Sequence, residues 1–238
     1  MNEAFLRTEM LLGAEGIARL RDSHVAVFGL GGVGSYVAEC LARSGVGELT
    51  LIDGDTVAAS NLNRQAEALH STLGMPKAEA MAARLRDVNP ACVLHPVVGV
   101  YAASVRERFW GEYDYVADCI DLVSCKIDLI MQARERDIPI VSALGTGNKL
   151  DASRLQIADV AETYGCPFAR VMRKELRARG VTHLKVVFSP EEAAATEQGE
   201  TPPPGRRSVP ASAPWVPPVA GFLLAGEIVK DLVGKKGK

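Results

Sequence analysis

Short apolar runs alternate with amphipathic stretches over the first part of the chain. Residues 24–28 form an apolar run that stops at glycines, which is the pattern of a buried strand. The apolar residues of 33–44 fall on one helical face, and Gly45 is placed to end that helix. Residues 48–52 predict the next strand. The order strand, glycine loop, helix and strand is typical of the start of a doubly wound parallel sheet.

The alternation continues to the end of the chain. It predicts helices at 76–88, 124–136, 167–179 and about 219–233, and strands at 93–98, 115–118, 138–142, 155–160 and 183–188. This order predicts an α/β fold with a Rossmann-like, doubly wound, mainly parallel sheet. We expect the strands at 155–160 and 183–188 to be antiparallel additions in the C-terminal part.

We expect residues 1–238 to form a single domain, because the sequence shows neither an internal repeat nor a clean boundary. Within it, residues 189–214 are rich in Pro, Ala, Glu and Ser. They carry too little apolar surface to order themselves, so they are predicted to form a mobile loop.

Composition narrows the class of protein. Hydrophobic residues make up 47% and charged residues 24%, as in ordinary globular proteins, and the net charge of −2 gives no global attraction for nucleic acid. The cysteines number five and form no C-x-x-C pair, which favours reduced thiols in a cytoplasmic protein. The late apolar stretch 219–229 is short and carries Glu227, so we expect no membrane span. The histidines show no ligand spacing and are expected to be structural: His24, His70, His95 and His183.

A glycine-rich loop is the first candidate site. The loop follows the first strand and opens a helix, as a nucleotide-binding fingerprint requires, and its glycines are Gly29, Gly31, Gly32 and Gly34. Glycine lets the backbone approach phosphate, and the helix N-terminus supplies N–H donors. Asp53 ends the next strand, where an acid can bind ribose hydroxyls. This loop alone does not separate ATP from NAD, so an NAD-dependent oxidoreductase is an alternative.

A polar cluster follows Asp53 and favours ATP over NAD as the nucleotide. It contains Asp55, Asn61, Asn63, Arg64 and Gln65, and Lys77 begins the next predicted helix. Arginine and lysine near a glycine loop suit a triphosphate, because they neutralise phosphate charge and departing pyrophosphate. Asp55 has the alternative role of bracing the loop.

An acidic pair marks the end of a later strand. In Asp118-Cys-Ile-Asp121 a carboxylate lies at the sheet edge where α/β folds place ligands, and it can hold Mg²⁺ with phosphate oxygens. Asp121 is the magnesium candidate, and Asp118 is expected to be structural.

These motifs together resemble the ThiF/MoeB/HesA superfamily, relatives of the ubiquitin-activating enzymes. The matching patterns are G-x-G-G-V-G-S, D-x-D-x-V-x-x-S-N-L-N-R-Q, G-x-P-K and D-C-I-D, from Arg7 to about Gly147. The resemblance implies adenylation of a carboxylate by ATP with release of pyrophosphate. Matched motif by motif, it implies that Gly32 and Gly34 face phosphates and Asp53 the ribose. It also assigns the triphosphate contacts to Asn61, Arg64 and Lys77, and Mg²⁺ to Asp121.

The resemblance also gives a role to Arg7. This residue is similar to an N-terminal arginine of the superfamily that reaches the ATP of the partner protomer, which implies a homodimer.

The second half resembles the tRNA threonylcarbamoyladenosine dehydratase branch of that superfamily. The matching stretches are ALGTGNKLDASRLQIADV, TYGCPFARVMRKELRARGV and WVPPVAGFLLAGEIVKDL. The implied substrate is tRNA carrying threonylcarbamoyladenosine, whose activated carboxylate is attacked from within the same side chain with loss of AMP. A sulfurtransferase-type accessory protein is kept as a further partner.

Three other functions stay open. Adenylation of the C-terminus of a ubiquitin-like sulfur-carrier protein is the first alternative. Its enzymes usually carry two C-x-x-C zinc pairs, and this sequence has neither. An NAD-dependent oxidoreductase would need an acid–base pair that is not evident. A scaffold without catalysis would not need Arg64, Lys77 and Asp121.

Binding of tRNA requires a local basic surface. One face of the predicted helix 167–179 carries Arg170, Arg173, Lys174 and Arg177, and the other largely carries Phe168, Val171, Met172 and Leu176. Such a stripe can contact phosphates, and its alternative is a solvated helix face. Arg206, Arg207 and the lysines of the C-terminal tail could add contacts.

Overall fold

The alternating pattern folds as one sheet flanked by helices. A computed structural model describes residues 3–197 and 209–234. Its strands are β1 His24–Phe28, β2 Glu48–Asp53, β3 Val93–Val98, β4 Tyr115–Asp118, β5 Ile140–Leu144, β6 Gln156–Asp159 and β7 Lys185–Phe188. Its helices are α1 Leu6–Arg21, α2 Gly34–Ser44, α3 Lys77–Val88, α4 Val123–Glu135, α5 Pro167–Arg177 and α6 Val216–Leu232. The strand order is β3-β2-β1-β4-β5-β7-β6. The predicted doubly wound, mainly parallel sheet is therefore confirmed.

The C-terminal strands differ from the prediction in direction. Only β6 is antiparallel, and it pairs with β7, whereas β7 runs parallel to β5. Strand β6 ends at the edge where the other strands begin, because Asp159 pairs with Lys185. The following segment leads back to Pro190 beyond the end of β7, and α5 then brings the chain to the start of β7. The prediction that 183–188 is antiparallel is thus wrong. Strand β5 also lies two residues later than the predicted 138–142.

Helix α1 was not indicated by the sequence pattern. It bends at Gly13, whose φ is 79°, and it buries only Gly16 and Leu20. Met10 and Leu11 lie on its exposed surface, 80% and 78% accessible. Apolar residues therefore do not follow a single face, so the helical period is masked. No described helix is long and apolar enough to cross a membrane.

The core has a layer on each face of the sheet. On one face α2 and α6 pack over the inner strands through fully buried side chains, among them Val37, Leu41, Ala220, Leu224 and Ile228. On the other, α4 and a short segment before β4 cover Phe28 with Leu129, Tyr101 and Phe109. A Cβ on Gly221 would lie 2.5 Å from the Val33 carbonyl oxygen, so α6 sits against the start of α2. This contact holds α6 beside the glycine loop.

The stretch expected to be mobile is anchored at its described ends. Glu191 accepts hydrogen bonds from the backbone N–H of Leu150 and Asp151 at 2.9 and 3.1 Å. Ala211 exchanges hydrogen bonds with Asn148 at 2.7 and 2.8 Å. Residues 198–208, which include Arg206 and Arg207, lie outside the described residues, as do the tail lysines. Mobility of the whole stretch stays a prediction.

A buried ion pair ties β4 to α4. Lys126 Nζ lies 2.7 Å from Asp118 Oδ2, and neither side chain is exposed to solvent. Ser142 on β5 donates a hydrogen bond to the same carboxylate at 2.6 Å. The expectation that Asp118 is structural agrees with this burial.

Removal of one charge from this pair should destabilise the fold strongly. In Lys126→Met the Asp118 carboxylate keeps its burial and loses its countercharge, and such changes cost about 3–5 kcal/mol. Urea unfolding of the variant and the wild type measures the difference. The double variant Asp118→Asn, Lys126→Met removes both charges and should be more stable than Lys126→Met alone. A double variant that is no more stable would show that the isolated charge is not the cause.

Candidate active site

A cleft of about 640 Å³ lies at the carboxyl ends of β1, β2, β4 and β5. Strand β1 has β2 on one side and β4 on the other, so the chain order reverses there. Ligands of open α/β sheets bind at such a reversal, because loops from neighbouring strands diverge and leave a crevice. The fold therefore places a ligand site at the end of β1.

The glycine loop forms one wall of the cleft. Gly29 has a φ of 88°, and a Cβ there would lie 2.9 Å from the Cys119 carbonyl oxygen. Gly31 and Gly32 line the cleft directly. The following helix α2 begins at Gly34, so its N-terminal end lies at the cleft and favours an anion.

Gly34 is not among the residues that line the cleft, and the phosphate contact that the resemblance implied for it stays a prediction. Gly34 is buried, and a Cβ on it would lie 1.8 Å from the Gly29 carbonyl oxygen. Its lack of a side chain lets α2 start directly against the loop. Gly34 thus shapes the phosphate-facing loop instead of lining it.

Asp53 holds the glycine loop in place. Its carboxylate accepts a hydrogen bond from the backbone N–H of Leu30 at 2.6 Å and another from Asp55 at 2.8 Å. Both contacts are with backbone, so the acid fixes the ends of two loops. It also lines the cleft, where a ribose contact remains a prediction.

Lys77 is placed by Asp55. The distance from Lys77 Nζ to Asp55 Oδ2 is 3.0 Å, and the side chains are 6% and 72% exposed. The backbone N–H of Lys77 also donates to the Asp55 carbonyl oxygen at 3.0 Å. Asp55 therefore holds the buried lysine in place, and both residues line the cleft.

Three more predicted residues extend this wall. Asn61 accepts a hydrogen bond from the Ala58 N–H at 3.0 Å, which stabilises the turn that presents Arg64. Arg64 donates to the Ser60 carbonyl oxygen and to Asn63 Oδ1, both at 2.9 Å. Asn61, Arg64 and the buried Gln65 all line the cleft.

The opposite wall comes from the ends of β4 and β5. Asp121 lines the cleft there, whereas Asp118 is buried beneath it. Cys119 also lines the cleft, and burial raises the pKa of its thiol to about 12, so it stays protonated at neutral pH. Burial likewise leaves Cys166, next to α5, out of solvent.

Sequence reasoning missed part of the lining. The added residues are Tyr101, Thr146, Phe168, Pro210, Ser212 and Pro217. They come from five separate segments that only the fold brings to one place. Thr146, Phe168 and Pro217 lie in the stretches that resemble the dehydratase branch, but nothing in those stretches marks them as cleft residues. Ser212 is held there because Asn63 donates a hydrogen bond to its carbonyl oxygen at 3.0 Å.

Glu67 was also missed, although it adjoins the polar cluster in sequence. Its side chain is buried, and neither carboxylate oxygen has a hydrogen-bond partner within the described part of the chain. Burial raises its pKa to about 8; nearby Lys77 opposes this rise and Asp53 adds to it. Glu67 is thus a buried, neutral carboxylic acid near Lys77 at neutral pH.

The basic face of α5 differs from its prediction in two details. Arg173 donates hydrogen bonds to the carbonyl and hydroxyl oxygens of Thr163, so its guanidinium is turned towards the protein. Arg170, Lys174 and Arg177 are exposed, and so is Val171, which was expected on the buried side. The buried face consists of Ala169, Met172 and Leu176. Phe168 lines the cleft, so the start of α5 adjoins it.

Arg7 lies on the exposed surface of α1 and does not line this cleft. Its proposed contact is with the site of a partner protomer, which a single chain does not test.

The arrangement of charges in the cleft fits a nucleoside triphosphate. Arg64 and Lys77 place two positive charges beside the glycine loop, and Asp121 faces them with a carboxylate. The donor set of one carboxylate with phosphate oxygens and water suits Mg²⁺, which prefers oxygen ligands. The cleft can therefore bind a polyphosphate and neutralise the charge of a leaving pyrophosphate.

Comparison with known proteins agrees with this geometry. Residues 5–238 match the model of the ThiF family. A tRNA threonylcarbamoyladenosine dehydratase of Bacillus subtilis (strain 168) is 42% identical over 243 residues, covering 98% of this chain and 96% of that protein. The crystal structure of Escherichia coli tRNA N6-threonylcarbamoyladenosine dehydratase in complex with ATP is 34% identical with a TM-score of 0.87, and the match covers 98% of this chain and 95% of that one.

The likeness to an adenylyltransferase covers less of the chain. Molybdopterin-synthase adenylyltransferase of Escherichia coli (strain K12) is 38% identical over 128 residues, which is 54% of this chain and 51% of that protein. The dehydratases thus match both halves of the chain, and this adenylyltransferase matches about one half.

Glu67 should make stability depend on pH. Its folded pKa of about 8 lies above the ordinary 4.5, so the folded chain keeps a proton that the unfolded chain releases between these values. Stability from this group is therefore present below about pH 4.5 and is lost as the pH rises to about 8. Glu67→Gln cannot ionise, so its stability relative to wild type should rise between pH 5 and 8 by up to about 4 kcal/mol, at about 1.4 kcal/mol per pKa unit.

Urea unfolding at pH 5, 6.5 and 8 measures this difference. Glu79→Gln, on the exposed side of α3, is the matched control and should show no such trend. An equal effect of pH on wild type and Glu67→Gln would contradict the neutral buried acid.

Proposed function

The chain belongs to the ThiF family, and from that membership we propose that it uses ATP to dehydrate threonylcarbamoyladenosine in tRNA to a cyclic product. The observation that carries the proposal is the match to dehydratases along the whole chain, including the second half in which α5 and the cleft residue Phe168 lie. The cleft also retains the charged residues that adenylation needs.

The first step is adenylation of the substrate carboxylate. A carboxylate oxygen attacks the α-phosphorus of ATP, and the bond to the β-phosphate bridging oxygen breaks to release pyrophosphate. Negative charge grows on the leaving group, so Arg64 and Lys77 stabilise this transition state. Asp55 keeps the Lys77 ammonium in place through their 3.0 Å contact.

The proposal includes a Mg²⁺ ion bound with the ATP. When bound, it neutralises charge on the phosphate oxygens. Asp121 is the residue that would hold it, since it presents a carboxylate to the cleft across from Arg64 and Lys77.

The second step needs no nucleophile from the protein. A nucleophile within the same threonylcarbamoyl side chain attacks the activated carbonyl carbon, closes the ring and expels AMP, so the substrate loses one water overall. Holding both reacting groups in one side chain gives the step a high effective concentration. The protonated Cys119 thiol fits this scheme, because a thiol with a pKa of about 12 is a poor competitor for the activated carbonyl.

The tRNA approaches over α5 in this proposal. Arg170 and Lys174 are exposed on the helix whose first turn places Phe168 in the cleft. Their side chains would contact backbone phosphates while the modified base enters the cleft.

Assembly is a further part of the proposal. The exposed Met10 and Leu11 on α1 give an apolar surface near Arg7, which suits a homodimer in which Arg7 reaches the nucleotide of the partner protomer. The sulfurtransferase-type accessory protein and the cytoplasmic location stay predictions.

Pyrophosphate release from ATP and Mg²⁺ tests the proposed reaction. We expect release only with tRNA that carries threonylcarbamoyladenosine, and not with unmodified tRNA or a ubiquitin-like carrier protein. The digested nucleoside should lose the mass of one water in the same reaction. Release with the carrier protein alone would contradict the substrate and favour sulfur-carrier activation.

Two variants sharpen this assay. Asp121→Ala should reduce turnover to background while its unfolding curve stays unchanged, because the carboxylate is exposed at the cleft. Asp87→Ala, at the far end of α3, is the control and should keep wild-type turnover. Wild-type turnover in Asp121→Ala would overturn the magnesium assignment.

Charge reversal on α5 should weaken tRNA binding and spare ATP binding. In Arg170→Glu, Lys174→Glu the phosphate contacts are replaced by repulsion, while Arg173 keeps its structural contact with Thr163. The dependence of log Kd on log salt concentration should weaken by about one unit for each contact removed.

Filter binding of modified tRNA over a salt series measures this change. The control variant Arg86→Glu, Arg134→Glu changes the net charge by the same amount. Its two substitutions lie in the last turns of α3 and α4, at the sheet edge away from the cleft. An equal loss of tRNA affinity in both variants would mean that only overall charge matters.

A further inference from the structure

A second cluster of chemically active side chains lies at the opposite edge of the sheet. It consists of His24 on β1, Glu48 on β2 and His95 on β3. His24 and Glu48 are direct partners in the parallel register, and His95 pairs with Thr50. Alternate residues of a strand share a face, so all three side chains project from the face that carries Phe28 and Ile52.

The Glu48 carboxylate joins the two imidazoles. Its Oε1 lies 2.7 Å from His95 Nε2 and 3.4 Å from His24 Nδ1. The ligand atoms of the three residues lie within 4.8 Å of one another. Ligands about 2.1 Å from a tetrahedral ion are about 3.4 Å apart, so small side-chain rotations bring the set to metal-binding distance.

Thr50 orients the more enclosed histidine. His24 Nε2 lies 2.8 Å from the Thr50 hydroxyl oxygen, which accepts the ring proton in the tautomer protonated at Nε2. That tautomer leaves the Nδ1 lone pair facing the Glu48 carboxylate. Metal-bound histidines commonly donate their other ring N–H in this way, which fixes the ring and its basicity.

With the ring proton on Nε2, His24 Nδ1 and the Glu48 carboxylate can bind the same ion. Tyr113 packs edge-on against the His24 ring, with 5.0 Å between the ring centroids, and covers one side of the cluster.

The cluster is accessible to an ion from solvent. His24 and Glu48 line a surface cavity of about 890 Å³ that is also lined by Glu112 and Asp114. The His24, Glu48 and His95 side chains are 19%, 39% and 45% exposed. The cationic Arg136 at this cavity is held by Glu107 at 2.9 Å and lies over the Trp110 ring. The field at the cluster is therefore set mainly by carboxylates.

We propose that His24, Glu48 and His95 form a site for a divalent transition-metal ion of the zinc class, with water completing its coordination. Two imidazole nitrogens and one carboxylate oxygen suit zinc, whereas calcium and magnesium require oxygen ligands. Strand β2 separates Glu48 from Asp53 by five residue steps, or roughly 16 Å. The site therefore acts on the sheet, joining β1, β2 and β3, and not on the nucleotide.

Zinc titration of the full chain tests the proposal. With thiols kept reduced by a phosphine, competition against a chromophoric chelator should show one tight site in the wild type. His95→Ala should weaken it at least tenfold, and His95 is chosen because it is the more exposed histidine of the cluster. The matched control His183→Ala removes an exposed histidine elsewhere and should leave zinc affinity unchanged.

Thermal unfolding gives a second readout. Zinc should raise the Tm of the wild type and of His183→Ala, because a ligand that binds only the folded state stabilises it, and should not raise that of His95→Ala. Calcium and magnesium should leave every Tm unchanged in the absence of nucleotide.

Cobalt substitution separates this site from the cysteines. Co²⁺ bound to the wild type should show ligand-field bands without a thiolate charge-transfer band. Equal zinc affinity in the wild type and His95→Ala, or a thiolate band, would overturn the proposal.

Discussion

The buried carboxylate of Asp118 is the contact on which the ligand edge of the sheet depends. It pairs with Lys126 at 2.7 Å, accepts a hydrogen bond from Ser142 at 2.6 Å and another from the Ile120 N–H at 3.2 Å. One group thus joins β4, β5, α4 and the turn that carries Asp121. A buried charge is tolerated only when its partners are complete, so this geometry has little freedom to shift.

A second constraint comes from close backbone approach at the glycine loop. Gly29 and Gly34 let the end of β1, the start of α2 and the Cys119 carbonyl meet without side chains between them. Asp53 then fixes the loop from β2. The phosphate-facing surface is therefore rigid before a ligand arrives, which lowers the cost of organising it during the reaction.

The charge pattern divides the molecule into a reactive and a structural edge. At the carboxyl ends of the strands, Arg64 and Lys77 face Asp121 across the cleft. At the other ends, His24, Glu48 and His95 face one another across three strands. One sheet can carry both groups of residues because Glu48 begins β2 and Asp53 ends it, so the two lie at opposite edges. Chemistry at one edge is thus separated from metal binding at the other.

The sequence by itself determined the local structure and the main motifs. Short apolar runs located β1 and β4, which are buried on both faces, and the helical period located α2, which buries one face. The order of the glycine loop, Asp53, Arg64, Lys77 and Asp121 indicated a triphosphate site, because these residues follow successive strand ends.

Only the tertiary structure decided features that depend on contacts between distant segments. The direction of β7 follows from the path of α5, and Gly34 turns inward because the Gly29 carbonyl lies against it. Thr163 holds the Arg173 side chain, and burial behind Lys77 keeps Glu67 protonated. His24 and His95 are 71 positions apart, and strand register alone brings them to the same carboxylate. Such pairings arise from three-dimensional packing, which leaves no local period or spacing in the chain.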